Sequence, residues 1–502
     1  MSATIDPRAL CIIGAAQRTW HLTGDDQAPE PLAMQAEICR AAVADCGSTH
    51  DILGAVGSLQ IVNCMSWPYD DPCARLAEEL SITPPHTHYS GLGGTTPQQL
   101  INHTAAHFQA GDLDVALMCG AEALDTKRRL KRAGERPAWS HRSPEPPARD
   151  PSLSWLPTEV AHEVFQAYLT FAVRDIARRA HRGTEPARHL AEIGALLAPM
   201  TDVAAANPHA WFPQRHTADQ LMTSTTANRM VSYPYTKHTM AIMDVDMASA
   251  TLLATHAAAD RMGVPVDRRV YLRGWASAND AVSVAEHPEL WRSPAMEFAF
   301  AEALHMAGVG VDEVTYLDLY SCFASSVSFA CDALGLRTDD PRGTTVTGGL
   351  PFSGGPASNY LGHSLATMTD RLRSDPDSLG LVSGVGMHMT NHVAAVYSTA
   401  PGPSTPPAEE PPPGPLTPAA LPIVDSHTGP ATIAAYSVLH DRDGDGAAGS
   451  ALLVCDIDTG ARCYARVTDA DLLGELEAEE WVGRTVEILA GDRGVNVATA
   501  AS

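Results

Sequence analysis

Thr347-Gly348-Gly349-Leu350-Pro351-Phe352-Ser353-Gly354-Gly355-Pro356 packs two glycine pairs and two prolines into ten residues. Proline removes backbone donors and paired glycines weaken both helix and strand, so the stretch specifies a sharp loop where backbone can approach backbone. Its Gly354-Gly355 pair has an echo in Gly93-Gly94, which also stands ahead of a helical pattern. Two further echoes flank the first. Leu59-Gln60-Ile61 leading to Cys64 matches Leu317-Asp318-Leu319 leading to Cys322, and Met118-Cys119-Gly120 matches Val382-Ser383-Gly384. All three pairs share an offset of about 260 residues, which predicts two copies of one α/β unit.

The segments between these landmarks alternate in character. Residues 10–16 form an apolar run suited to a buried strand, 31–46 carry the one-faced pattern of a helix, and 59–64 and 115–119 read as strands. A helix is predicted over 71–80, a polar strand-like run over 86–94, and a further helix starting near Pro97 with Thr95 or Thr96 as its cap. Strands alternating with helices predict a layered α/β fold. Between the copies lies an insertion at about 125–243. It opens with Lys127-Arg128-Arg129-Leu130-Lys131-Arg132, passes a proline-rich stretch at 144–157, and predicts an amphipathic helix over 159–182. Thirteen of the chain's 34 Lys and Arg lie between Lys127 and Arg188, so an acidic chain has gathered its positive charge in one insert. A polar loop at 228–238 follows, then an alanine-rich stretch at 246–259 that reads as a buried helix. From residue 401 the composition shifts again. Residues 401–422 read as a proline-rich linker, and strands at 433–440, 450–456, 461–467 and 485–490 with an acidic helix at 471–480 predict a small β-rich domain of barrel type over 423–502.

With 502 residues the chain needs about 2 to 4 packing units. A net charge of -25 excludes general attraction to nucleic acid or to an anionic membrane. No stretch approaches the roughly 18 apolar residues of a membrane span, so a soluble, cytoplasmic protein is expected. The ten cysteines are scattered singly without a Cys-x-x-Cys pair, the pattern of buried reduced thiols.

The 347–356 stretch resembles the thiolase active-site loop Gly-Gly-x-x-x-x-Gly-His-Pro, with Gly355 standing where the family has its histidine. The resemblance extends over about residues 8–400. It includes Ala15-Ala16-Gln17-Arg18-Thr19, Tyr320-Ser321-Cys322-Phe323 and Val382-Ser383-Gly384, with Phe323, Gly335, Gly348, Gly349, Pro356 and Gly384 matching the family. It implies a duplicated thiolase fold layered α-β-α-β-α, with halves at 1–270 and 271–400 and the insertion as a loop domain. Thiolases use a cysteine nucleophile, a polar second loop, a histidine base and a second cysteine. The corresponding positions here are Gly94, Tyr320, Gly355 and Val382, so every catalytic side chain is changed. Claisen condensation and thiolysis need an activated thiolate and a second acid or base. The resemblance therefore implies a protein that binds CoA or acyl-CoA without ordinary thiolase activity. Two alternatives stay open. One is an acyltransferase of the acetyl-CoA acetyltransferase class working through Cys322 and Tyr320 or a partner subunit; the other is a non-catalytic scaffold whose C-terminal domain recruits a protein partner. Cys322 also reads as a packed thiol, and Tyr320 as a residue at a core boundary. His363 lies eight residues beyond Gly355, inside the helix that follows, and only imitates the family's histidine.

In thiolases the insertion binds CoA, whose phosphates favour clustered Arg and Lys. Arg174, Arg178 and Arg182 are four apart and share one helix face, so with Ser232 and Lys237 they are the expected CoA contacts; a solvated basic face is the other reading. No metal is expected. His388-x-x-x-His392 and His86-Thr87-His88 lack a third ligand, and residues 441–446 match half of a calcium loop whose twelfth position is Leu452 instead of Glu. The strand through which thiolases dimerise is here Pro84-Pro85-His86-Thr87-His88-Tyr89, proline-led and polar, which predicts a monomer or weak homodimer.

Overall fold

A computed structural model of the chain describes residues 5–24, 26–145, 155–402, 414–441 and 447–501. The first half runs β1 (Leu10–Thr19), α1 (Pro31–Asp45), β2 (Ser58–Ile61), α2 (Pro72–Leu80), β3 (His86–Tyr89), α3 (Thr96–Ala110) and β4 (Val115–Ala123). The insertion adds α4 (Leu124–Arg132), α5 (Pro157–Ala161), α6 (Ala167–His181), α7 (Pro186–Ala206), α8 (Ala218–Met222) and the hairpin β5 (Met230–Ser232) and β6 (Tyr235–Thr236). β7 (Asp246–Thr255) and α9 (His256–Arg261) close that half. The second half runs β8 (Val270–Asn279), α10 (Pro294–Ala307), β9 (Tyr316–Asp318), α11 (Ala324–Leu334), α12 (Leu350–Ser353), α13 (Tyr360–Ser374), β10 (Gly380–Gly386) and β11 (Asn391–Ser398).

Nine strands form one sheet in the order β3-β2-β4-β7-β1-β8-β11-β10-β9. In the first half β1 lies antiparallel to β7, β7 antiparallel to β4, and β4 parallel to β2. In the second, β8 lies antiparallel to β11, β11 antiparallel to β10, and β10 parallel to β9. One pairing scheme thus occurs twice, and the copies meet where Cys11 and Ile12 pair with Tyr271 and Val270. The sequence repeat is structural: Leu59 and Leu317 lie on β2 and β9, Gly120 and Gly384 on β4 and β10. Between the half-sheets, Leu100, Ile101 and Phe108 of α3 pack with Leu365, Met368 and Leu372 of α13. α1 and α2 cover the outer face of the first half, α10 and α11 that of the second. The result is the expected α-β-α-β-α layering, and its two central helices begin close to Gly94 and Gly355.

Two sequence expectations are corrected here. Residues 246–255 form strand β7, with all its residues buried, and a helix begins only at α9. A strand covered on both faces presents an unbroken apolar run, which periodicity cannot separate from a buried helix. The helix over 159–182 is two helices broken near Glu163, whose φ of 54° is left-handed. α6 is also not amphipathic, since 11 of its 15 residues are buried.

The C-terminal region contains β12 (Gly429–His440), β13 (Ala448–Asp456), β14 (Arg462–Val467), α14 (Ala470–Ala478), β15 (Thr485–Ala490) and β16 (Asn496–Ala500). β13 pairs with β12 and β14, β14 runs parallel to β16, β16 pairs with β15, and β15 returns to β12. Five strands therefore close a barrel with the connectivity of an OB-fold. Its β13–β14 face, the usual ligand face of that fold, is covered. Leu452, Val454 and Tyr464 pack against Leu169, Val173 and Ala177 of α6. Arg179 donates to the Tyr436 hydroxyl at 2.7 Å and pairs with Glu480 at 3.1 Å, while the hydroxyls of Ser232 and Ser437 lie 2.7 Å apart. The insertion and the barrel share one apolar seam. Of the expected linker, 403–413 lie outside the described residues, as do 442–446 of the half calcium loop and 146–154 of the proline-rich stretch. Among the described residues no helix is long and apolar enough to cross a membrane.

Candidate functional site

Four loops meet at the starts of the central helices. The Gly93 N–H donates to Ser358 Oγ at 3.0 Å, and the Tyr320 N–H to Ser383 Oγ at 3.0 Å. The Leu350 N–H donates to Ser321 Oγ at 3.0 Å, the Gly355 N–H to the Ile242 carbonyl at 2.9 Å, and the Ala241 N–H to the Cys322 carbonyl at 2.9 Å. The glycines of 347–356 make this approach possible. Gly348, at a φ of 105°, passes so close to Ala204 that any Cβ would strike it. Gly94, Tyr320, Gly355 and the end of β10 are thus brought together, with Cys322 beside them.

The space beside Gly94 is filled. A Cβ on Gly94 would fall 2.6 Å from Tyr320 Cζ and would also collide with the Tyr320 hydroxyl and the Val385 carbonyl. Gly94 and Tyr320 are therefore complementary: the tyrosine, with the Val385 carbonyl, occupies the volume that a side chain at 94 would need. Gly355 is different. A Cβ there would meet Leu350, Ile242 and Ala241 at 3.4 to 3.6 Å, ordinary contact distances. Val382 is buried in the central core between the half-sheets. Burial, with Cys322 nearby, pushes the Tyr320 hydroxyl above its usual range, so it keeps its proton at neutral pH and can donate a hydrogen bond. Its ring meets Tyr360 edge-on at 5.5 Å, and the Tyr360 hydroxyl donates to buried Asp318 at 3.1 Å. Burial pushes the Cys322 thiol up to about 12, and its hydrogen-bond partner is the Ser326 hydroxyl at 3.7 Å, which is no base. It is a thiol, not a thiolate.

Next to this centre lies a cavity of about 700 Å³. Trp211, Phe212, Met240 and Phe352 give it apolar walls, and Ala241 and Ile242 line it where they touch Gly355. Arg128 and Lys237 also line it, and Arg128 pairs with Asp244 at 3.2 Å. Of the expected CoA contacts, Lys237 alone reaches this cavity. Arg174 is fully buried and donates to the Met389 and Arg292 carbonyls at 3.0 and 2.6 Å. Arg178 grips Asp332 with two hydrogen bonds, Arg182 lies 3.6 Å from Glu192, and Ser232 serves the barrel seam. The aromatic wall and the 240–243 segment were not singled out in the sequence. The signal available was Met240-Ala241-Ile242-Met243, an apolar run without helical or strand period just before β7.

His388 and His392 do not share a helix. One lies in the turn after β10 and the other on β11. His363 lies within α13 and donates to Gln17 Oε1 at 3.1 Å. Burial holds His287, His363 and His392 down to about 3 and His388 to about 4, so all four are neutral in the fold. Each takes up a proton on unfolding, and stability falls as pH drops from about 6.5 toward 4, by up to ~1.4 kcal/mol per pH unit for each histidine. Glu122, raised to about 7, and Asp246, raised to about 6, act in the opposite sense, because the fold holds protons that the unfolded chain releases above about 4.5. Among the described residues eight histidines are held below their ordinary value against six carboxyls held above theirs, and acid-lability is the net effect. The urea midpoint is expected to fall steeply between pH 6 and 4.5, and to fall less steeply in His392→Gln; a flat profile would contradict it.

Two copies of one pairing scheme, paired central helices and four loops meeting at their starts define a thiolase-type fold. The chain is a member of the thiolase superfamily that carries an additional C-terminal barrel. It superposes on a monomeric SCP2-thiolase-like protein type 1 from Mycobacterium smegmatis with a TM-score of 0.85 and 28% identity, over 99% of this chain and 100% of that one. Human mitochondrial 3-ketoacyl-CoA thiolase in complex with CoA superposes with a TM-score of 0.57 and 15% identity, over 78% of this chain and 99% of that one. An acetyl-CoA acetyltransferase from Methanothermobacter thermautotrophicus is 24% identical over 216 residues, 39% of this chain. The match spans about half that relative's length, 53%. No family model matches the chain.

Proposed function

We propose that the chain binds CoA or an acyl-CoA thioester in the 700 Å³ cavity and does not carry out ordinary thiolase chemistry. The observation that carries this reading is the apolar-walled cavity with Arg128 and Lys237 at its lining, which Ala241 and Ile242 join to Gly355. The pantetheine arm would lie along 240–243, with phosphates near Lys237 and Arg128. Without a thiolate no acyl-enzyme forms, and with Gly355 in the base's place no carbon-bound proton is removed. The CoA complex of the human thiolase supports a CoA ligand for this fold. Calorimetric titration with CoA and acetyl-CoA tests it. Saturable binding is expected, weakened roughly tenfold in the Arg128→Ala, Lys237→Ala variant, with no acetyl exchange between CoA molecules. Absence of heat at millimolar ligand would remove the cavity from consideration.

A partner-binding reading of the barrel has its own observation. With the β13–β14 face covered, Leu489 and Val497 pair across β15 and β16 and stand exposed. We also read the chain as a monomer or weak homodimer, since β3 is a short, fully exposed edge strand led by Pro84 and Pro85. Sedimentation at micromolar concentration is expected to give the mass of one chain.

A further inference from the structure

α4 contributes Arg128 to the cavity, and its charge is unusual in this chain. Between residues 124 and 136 stand six cations, Lys127, Arg128, Arg129, Lys131, Arg132 and Arg136, against two acids, Asp125 and Glu135. The chain as a whole carries -25. Arg128 faces the cavity and is used internally, pairing with Asp125 and Asp244. Lys131, Arg132 and Arg136 are exposed, line no part of the cavity, and have no carboxylate partner among the described residues. Lys131 and Arg132 lie about one helical turn beyond Arg128, and Arg136 lies past the end of α4. That is more positive surface than the phosphates of one nucleotide at Lys237 and Arg128 require.

A second observation points to a protein. Among the few large apolar side chains left exposed, Met65 and Met243 both flank this helix. The Lys127 ammonium donates to the Met65 carbonyl at 3.4 Å, and Met243 lines the cavity alongside Arg128. Exposed methionines set among arginines are the composition of a protein interface, not of a solvated charge run. Resting on the reading that a thioester occupies the cavity, we propose that α4 docks a small acidic carrier protein, which presents the thioester on a covalent phosphopantetheine arm. The carrier's acidic face pairs with Lys131, Arg132 and Arg136, its apolar contacts settle on Met65 and Met243, and the arm enters past Arg128.

The test uses the full chain with three probes: a bacterial acyl carrier protein in apo and phosphopantetheinylated form, free 4'-phosphopantetheine, and CoA. The phosphopantetheinylated carrier is expected to bind at least tenfold tighter than free phosphopantetheine, and to lose about tenfold between 50 and 300 mM salt. The triple variant Lys131→Glu, Arg132→Glu, Arg136→Glu is expected to remove that advantage while leaving CoA and phosphopantetheine affinities unchanged. Met65→Ser is a milder companion, expected to weaken the carrier alone. If CoA and phosphopantetheine bind but the carrier binds no tighter, or the charge-reversed chain keeps it, the docking surface is overturned and the cavity reading stands. If none of the three binds, both fall together.

Discussion

A chain ending at residue 400 is expected to lose cooperative folding of its insertion and to accumulate as aggregate, although its duplicated thiolase halves are complete. The reason lies in what α6 faces. Leu169, Val173 and Ala177 pack against Leu452, Val454 and Tyr464 of the barrel, and Ile176 and Tyr233 join the barrel's own interior cluster. Exposing Leu169, Val173 and Ile176 alone forfeits about 1.5–3 kcal/mol each, roughly 5–9 kcal/mol in sum. That is of the order of a whole domain's stability. The polar ties fail with the apolar ones, since Arg179 has no exposure and would lose both Tyr436 and Glu480. Soluble yield, near-UV circular dichroism and protease nicking within α6 would report the change. Should the shortened chain melt as a single transition at the temperature of the full chain, the barrel would be a passenger and the seam energetically empty.

That seam was out of reach of sequence reasoning, and the reason is instructive. The duplication could be read because the same backbone task, a strand followed by a glycine-led helix, recurs at a nearly fixed offset and leaves the same residue types each time. The barrel could be read from its alternating strands, apart from β16, whose Asn496-Val497-Ala498-Thr499-Ala500 is too alanine-rich to signal a strand. β7 was misread because burial on both faces erases the period. Arg174 and Arg178 stand one turn apart on α6 and Arg182 caps its end. Spacing says which side chains share a surface, but only tertiary packing says whether that surface looks onto ligand, solvent or another domain. Arg174 and Arg178 look onto the second half of the fold. Likewise, Gly94, Tyr320, Gly355 and Val382 could each be singled out from the sequence by its place in a loop. The fit of Tyr320 into the space beside Gly94 could not, because it joins loops from opposite halves of the duplication.

That fit yields the sharpest expectation for the centre. Gly94→Cys, which would put a thiol where the thiolase resemblance expects the nucleophile, is expected to destabilise the chain by about 1–3 kcal/mol through overpacking, since its Cβ would drive into the Tyr320 ring and the Val385 carbonyl. Backbone strain is not the cause, because Gly94 is not among the glycines with left-handed φ. Gly355→His is expected to be tolerated: its Cβ finds ordinary contacts and its ring can extend along Ala241 and Ile242 toward the cavity. Tyr320→Ala removes the side-chain part of the obstruction and leaves the Val385 carbonyl, so in the double variant with Gly94→Cys the cysteine should cost less than it does beside the intact ring, on top of the cavity cost of the truncation itself. A double-mutant cycle in chemical denaturant would then give a favourable coupling near 1–2 kcal/mol between the two positions. Iodoacetamide provides an independent readout. The new thiol should label slowly in the single variant and faster once Tyr320 is truncated. Additive costs, or a Gly94→Cys chain as stable as the native one, would mean that the loop can move away from Tyr320. The bare Gly94 and the ring of Tyr320 would then be independent features, not two halves of one packing arrangement.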